Sequence, residues 1–393
     1  MIIKPSYRGF ICLTAHPVGC YKNVEDMIKA AVDHRVSGTA KIKNVVVLGS
    51  STGYGLASRV VAAFSYGAKT VGVSFEKEST ERRTATAGFY NNRAFGDLAE
   101  KAGLAYKTIN GDAFSCEIKD DVVAACKELF SGEKVDLLIY SLAAPKRTDP
   151  ETKQVYSSVI KPIGAAYRSK TADFHTGVVS EVEISPASEE EIESTIKVMG
   201  GEDWGLWVDR FIAEDLVADQ FVTLAYSYIG PALTHAIYKD GTIGKAKDNL
   251  LQCCQTINQK LEPLGGNAYV SINKAVVTQA SSAIPVVPLY ISLLYKIMRE
   301  KGLHEGCFEQ ISRLFTDRLY SGKDDFCDKE RRIRLDDWEM RTDVQAEIDA
   351  LWPRIDSENI DSLTDIKGYR DEFFSLFGFG RIDVDYEEDV KGF

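Results

Sequence analysis

The sequence predicts an α/β fold built on a doubly wound parallel sheet, and three observations carry that reading. A run of four apolar residues, Val45-Val46-Val47-Leu48, leads at once into three glycines, Gly49, Gly53 and Gly55, and then into a helix-like stretch over 56–64. Strand-like and helix-like segments alternate from there to residue 140 in a β-α-β-α-β-α-β order. After a polar interruption the alternation resumes with two more apolar runs, 221–226 and 268–272.

In chain order, residues 1–40 hold a short apolar segment at 9–13 and a helical stretch over 23–34. The first core strand, 45–48, is followed by the glycines and a helix, then by a second strand over 70–76. A helix near 91–103, a strand over 105–109, a helix near 118–130 and the strand 135–140 complete the first half. Residues 146–190 are polar and turn-rich, which reads as an insertion over the site. Beyond Pro285 the chain is expected to be largely helical, ending in an acidic, aromatic tail.

A glycine turn between a parallel strand and a helix N-terminus suits a pyrophosphate, because the backbone comes close and free N–H groups face the anion. Gly49-Ser50-Ser51-Thr52-Gly53-Tyr54-Gly55 has this form. Its G-x3-G-x-G spacing is that of the short-chain dehydrogenase/reductase branch of the Rossmann folds. Phe75 and Glu76 end the second strand, where the adenosine half of a dinucleotide would lie. A carboxylate there accepts from both ribose hydroxyls and repels a 2′-phosphate, so NADH is expected over NADPH. Asp112-Ala113 follow the third strand and are candidates for the adenine, with an ordinary turn aspartate as the alternative. Ser141-Leu142 follow the fourth strand and would lie beside the ribose nearest the nicotinamide.

A reductase of this lineage needs a phenol to donate to a carbonyl oxygen and a lysine to hold the ribose and favour the phenolate. Tyr238 and Lys247 are the candidates. Their separation is nine residues, whereas the common short-chain pattern uses four. At about 100° per residue, nine positions lead to opposite faces of a continuous helix. The pair converges only if Tyr238 precedes a break, for which Gly241 and Gly244 are available, with Thr242 as a candidate cap. Lys245, seven residues after Tyr238, is the competitor on an unbroken helix.

These residues, with Ile2-Ile3-Lys4-Pro5, Gly200-Gly201-Glu202-Asp203-Trp204, Tyr226-Ser227-Tyr228-Ile229-Gly230-Pro231 and Gln310-Ile311-Ser312-Arg313, give the chain a family likeness over nearly its whole length. It resembles the trans-2-enoyl-CoA reductases, which include the V-type bacterial enoyl-ACP reductases and are marked by a Tyr-x8-Lys pair. The resemblance implies Tyr238 as proton donor, Lys247 as a cofactor contact, Tyr228 as a substrate contact and Val276-Val277-Thr278 against the nicotinamide. It implies hydride transfer from NADH to the β-carbon of an enoyl-CoA or enoyl-acyl-carrier-protein thioester, as in fatty acid synthesis. The residues alone leave open a carbonyl reductase or alcohol dehydrogenase using the same pair, and a non-catalytic nucleotide-sensing module.

Composition narrows the classes. A net charge of −11 argues against nucleic acid as a partner, and no apolar run is long enough to span a bilayer. The N-terminus has neither signal-peptide nor transit-peptide character, and eight cysteines without a C-x-x-C pair read as reduced thiols, so a cytoplasmic protein is expected. His16, His34, His175, His235 and His304 show no metal-ligand spacing, and no metal is expected. Trp204 and Trp207 read as packing residues rather than pocket lining, and Glu189-Glu190-Glu191 as a solvated helix face. With no persuasive linker, the expectation is a single enlarged domain and a monomer. It comprises an N-terminal elaboration (1–40), a cofactor-binding and catalytic core (41–290) and a helical C-terminal elaboration (291–393).

Overall fold

The apolar run at 45–48 is buried on both faces, as a central parallel strand must be. In the computed structural model, which describes residues 2–35, 42–323 and 326–390, it belongs to β3 (Asn44–Leu48). Before it come the hairpin β1 (Tyr7–Arg8) and β2 (Ile11–Cys12) and the helix α1 (Pro17–Asp33). After it come α2 (Gly53–Val60), β4 (Lys69–Ser74), α3 (Ala87–Lys101), β5 (Tyr106–Asn110), α4 (Cys116–Leu129) and β6 (Val135–Tyr140). Two hairpins follow, β7 (Lys146–Thr148) with β8 (Val155–Ser157) and β9 (Tyr167–Asp173) with β10 (Val178–Ile184). Next are α5 (Glu189–Met199), α6 (Glu202–Ala213), β11 (Val217–Ser227), α7 (Thr242–Leu261) and β12 (Asn267–Ile272). The chain continues through α8 (Val287–Glu300), α9 (Cys307–Arg313), β13 (Arg332–Arg334), α10 (Thr342–Leu351), α11 (Ile360–Leu363) and α12 (Ile366–Ser375).

The main sheet has seven strands in the order β13-β12-β11-β6-β3-β4-β5, and every neighbouring pair is parallel. Winding runs outward from β3 to β5, then returns to β6 beside β3, which makes the β3/β6 junction the switch point where ligands bind. On one face Val46, Leu48, Val71 and Val73 pack with Val122, Trp204, Trp207 and Ile257 of α4, α6 and α7. On the other, Val45, Val47 and Ile139 meet Ala57 of α2 and Ile311 of α9. A third apolar cluster joins α8, α10 and α12 to the β9–β10 hairpin and includes Tyr238 and Tyr290.

The structure departs from the sequence reading at several points. Helix α2 begins at Gly53, three residues before the expected start, and its continuation Val61–Ser65 widens into a π-turn. The second core strand ends at Ser74, leaving Phe75 and Glu76 in the following loop. The mid-chain insertion is built of two hairpins. The C-terminal region contributes a seventh sheet strand, β13, besides its helices. Trp204 and Trp207 are fully buried, their indoles donating to Thr223 Oγ1 and the Ala113 carbonyl, so they are core. Glu191 does more than face solvent: it closes a capping box with Ser188 and pairs with Lys161 at 2.5 Å. All eight cysteines are unpaired. The expected boundary at residues 40 and 41 lies outside the described residues.

Candidate functional site

The glycine turn is a cradle that side chains would fill. Gly49 leaves β3 with φ +83°, and a Cβ on it would stand 2.1 Å from the Ser141 carbonyl oxygen. A Cβ on Gly55 would stand 1.9 Å from the Gly49 carbonyl oxygen. Thr52, the N-cap of α2, makes no side-chain capping bond, so the first N–H groups of the helix remain for an anion. Ser50 is spent on the sheet, donating to the Val73 carbonyl at 3.2 Å. Tyr54 is spent on the far side, donating to the Lys274 carbonyl at 2.7 Å. These features fit a dinucleotide pyrophosphate.

The remaining cofactor candidates line up along the same edge. Ser51 Oγ donates to Glu76 Oε1 at 2.5 Å and Thr86 Oγ1 to Glu76 Oε2, which aims the carboxylate at the glycine turn. Phe75 is 78% exposed beside it. Asp112 caps its own turn, accepting from the Phe114 amide at 3.0 Å, while Ala113 is buried. Ser141 follows β6 with its amide on the Leu48 carbonyl, and Leu142 flanks Gly49. Val276 and Val277 are buried and Thr278 half-buried, with Thr278 Cγ2 3.9 Å from where a Gly53 Cβ would be. Residues 276–278 therefore face the glycine turn.

The phenol–lysine pair converges because the helix begins after the tyrosine. Residues 232–239 form a 3₁₀ turn followed by hydrogen-bonded turns, and α7 starts at Thr242 with Gly241 as N-cap. Thr242 is thus not the cap; its hydroxyl instead donates to the Val159 carbonyl at 2.6 Å, fastening the insertion. Gly244 lets the Tyr238–Lys239 backbone lie against the helix, since a Cβ there would be 1.9 Å from the Lys239 carbonyl oxygen. Lys247 Nζ lies 4.9 Å from the Tyr238 ring and 5.6 Å from the Tyr228 ring, and donates to the Tyr228 carbonyl. Lys245 is exposed and takes no part in this contact.

Tyr228 and Tyr238 meet edge to face with centroids 5.0 Å apart, yet their hydroxyls differ. Tyr228 donates to Glu339 Oε1 at 2.8 Å. The Tyr238 hydroxyl has no partner among the described residues. Burial holds its proton well above the usual range for a phenol, and the Glu339 charge adds to this. His235 bonds to the Gly230 carbonyl at 3.1 Å, and no cluster suited to a metal occurs among the described residues.

Residues 83–320 match the model of the trans-2-enoyl-CoA reductase catalytic region, and residues 2–81 that of the NAD(P)H binding domain of trans-2-enoyl-CoA reductase. The chain belongs to the trans-2-enoyl-CoA reductase family. The reductase is 56% identical to the NADH enoyl-[acyl-carrier-protein] reductase of Flavobacterium johnsoniae, over 100% of this chain and 98% of that protein. It is 54% identical to the NADH trans-2-enoyl-CoA reductase of Ruminiclostridium cellulolyticum, over 99% and 98%. The crystal structure of Treponema denticola trans-2-enoyl-CoA reductase in complex with NAD superposes with a TM-score of 0.95 at 48% identity, covering 99% of this chain and 98% of that one.

Residues 327–390 of the reductase match a model described as an enoyl reductase FAD binding domain. The residues there do not fit a flavin dinucleotide. The connection from β13 to α10 holds no glycine to let the backbone close on a pyrophosphate, and its acidic side chains are spent: Asp336 on Arg334, Asp337 on Arg313 and Arg318, Glu339 on Tyr228 and Tyr290. The segment's apolar side chains, among them Ile348, Ile366, Tyr369 and Phe373, are spent in the core.

Two functional neighbours escaped the sequence reading. Glu339 is fully buried among Tyr228, Tyr290 and the Ala275 amide, and Lys274 is 2% exposed with its ammonium on the Ala275 carbonyl. The signal for Glu339 was β13, since a residue just past the carboxyl end of a parallel strand sits at the ligand edge.

Lys247 of the reductase yields a pH prediction. Sequestration pushes its ammonium down to about 7. An anionic cofactor brought beside it raises that value, so binding takes up a proton. NADH affinity is then full below about pH 7 and weakens by up to about tenfold per pH unit above it, until the bound-state value is passed. Titration of NADH binding from pH 6 to about 9 checks this, and Lys247→Met should flatten the dependence.

Proposed function

We propose that the protein reduces the carbon–carbon double bond of trans-2-enoyl thioesters with NADH, at the site formed by Tyr238, Lys247, Tyr228 and the glycine turn. The observation that carries this reading is the free Tyr238 hydroxyl beside Lys247, on the same edge as the cradle for the cofactor. Bound there, the dihydronicotinamide supplies the hydride that goes to the β-carbon. Tyr238 donates a hydrogen bond to the thioester oxygen as enolate charge develops, in a site where few waters compete. The Tyr238 proton then passes to the enolate and ends on the α-carbon of the saturated acyl thioester, and the phenolate left behind takes a proton back from solvent. Lys247 holds the ribose and steadies the phenol, while Tyr228 bounds the substrate.

NADH oxidation with crotonyl-CoA, compared with a ketoacyl-CoA, tests the reading. Turnover of the enoyl compound supports it, and turnover of the keto compound alone overturns it. The carrier, CoA or acyl carrier protein, is decided by matched kinetics on both, since each presents the same pantetheine arm.

Glu76 is proposed to set the cofactor preference. Glu76→Gln removes the charge that repels a 2′-phosphate, and should narrow the NADH/NADPH ratio of kcat/KM by about tenfold or more. An unchanged ratio removes Glu76 from this role.

The wider reading is of one enlarged domain acting as a monomer in the cytoplasm. Supporting it, α1 is tied to the C-terminal helices through Asn23 Nδ2 on the Ser375 carbonyl at 2.7 Å. Eight unpaired cysteines suit a reducing compartment, and no helix among the described residues is long and apolar enough to cross a membrane. Light scattering in solution checks the oligomeric state.

A further inference from the structure

Glu339 stands just past β13 with no exposed surface, and three donors converge on its carboxylate. Tyr228 and Tyr290 donate to Oε1 at 2.8 and 2.6 Å, and the Ala275 amide donates to Oε2 at 2.7 Å. Its own carbonyl accepts from Gln345 Nε2 at 2.7 Å, which pins the backbone. Lys274 contributes compensating charge without forming an ion pair, its ammonium being engaged by the Ala275 carbonyl at 2.8 Å.

A buried carboxylate is expensive, and well-packed apolar residues would stabilise a core as well or better. Its three partners suggest what it does instead. Tyr228 packs edge-on against Tyr238. Ala275 opens the 275–278 segment that faces Gly53. Tyr290, on α8, belongs to the apolar cluster that also holds Tyr238. One carboxylate therefore connects the two tyrosines to the segment that faces the cofactor cradle. The Tyr228 hydrogen is directed at Glu339, whereas the Tyr238 hydroxyl has no partner among the described residues.

We propose that Glu339 is a positioning residue for the reduction: it holds Tyr228 against Tyr238, fixes the 275–278 segment and, of these two phenols, leaves Tyr238 free to donate to the substrate. The inference rests on the reductase reading above. Tyr238 is faced by Tyr228, by Lys247 of α7, by Glu339 and by Tyr369 of α12. The Glu339 charge opposes ionisation of Tyr238 and so keeps it a donor.

The test uses the full chain with crotonyl-CoA and NADH across pH. Glu339→Gln should lower kcat by about tenfold or more, because the amide oxygen stays on the fixed Ala275 N–H and its NH2 faces Tyr228 and Tyr290, which lose their acceptor. It should also move the alkaline limb of the kcat profile toward lower pH, as a negative charge facing Tyr238 is gone. In a Tyr228→Phe background the same change should cost less than about threefold further, since Glu339 acts largely through Tyr228. An unaltered kcat and alkaline limb, or an equal loss at every pH and in both backgrounds, overturns the proposal. Should Glu339→Gln fail to fold, Tyr228→Phe alone decides. The proposal expects it to keep the alkaline limb and to retain far more turnover than Tyr238→Phe, and equal inactivity of the two overturns it. A wild type that oxidises no NADH with crotonyl-CoA overturns the reductase reading and this inference with it, whereas an active wild type with an indifferent Glu339→Gln overturns this inference alone.

Discussion

Tyr238→Phe is expected to lower kcat by about 10²–10⁴-fold while leaving NADH affinity within about threefold of wild type. The ring is only 6% exposed and packs against Tyr228, so phenylalanine keeps the volume and the edge-to-face contact. What is lost is one hydroxyl with no partner among the described residues, so its removal strands no buried donor or acceptor and the fold should be unaffected. Lys247 keeps its bond to the Tyr228 carbonyl, which does not involve the Tyr238 oxygen. The loss should therefore appear in the chemical step, and fluorescence titration with NADH beside steady-state turnover separates the two. An active wild type that loses nothing on this change removes Tyr238 as the donor.

The sequence made most of this edge legible because the decisive positions are local. Four apolar residues and a glycine name β3 and the turn without reference to anything distant. Glu76, Asp112 and Ser141 could be placed because each follows a strand by one or two residues, and parallel strands present their carboxyl ends together. The Tyr238–Lys247 pair was legible through its spacing, which demanded a break that the structure supplies at Gly241. Long-range features were not legible. Strand β13 is three residues long with Arg332 and Arg334 flanking Ile333, a pattern too short and too charged to read as part of a parallel sheet. Missing it concealed Glu339, whose partners come from positions 228, 275 and 290. The β9–β10 hairpin was lost for a related reason: most of its residues are only half-buried or exposed, so no face carries a clean alternation. Thr242 looked like a cap because its type and place suited one, yet tertiary contact with Val159 took its hydroxyl.

The second large effect separates cofactor binding from chemistry with two alanines. Gly55→Ala places a Cβ 1.9 Å from the Gly49 carbonyl oxygen and 2.8 Å from its carbon, and backbone cannot rotate away as a side chain can. The turn must open, which moves the N–H groups at the start of α2 off the pyrophosphate. NADH binding should weaken by about a hundredfold, equivalent to about 3 kcal/mol. Gly244→Ala makes the same kind of clash elsewhere, 1.9 Å from the Lys239 carbonyl oxygen and 2.5 Å from that of Tyr238. It pushes the tyrosine segment off α7 and so away from Lys247, while the glycine turn stays intact. Here kcat should fall by about a hundredfold with a much smaller change in NADH affinity, because donor geometry tolerates little displacement. NADH titration and turnover of the two variants, each with a melting curve to establish folding, give the contrast. If Gly55→Ala binds NADH normally, the turn is not the cradle. If Gly244→Ala loses affinity and keeps kcat, the close approach at Gly244 serves the cofactor rather than the Tyr238–Lys247 pair.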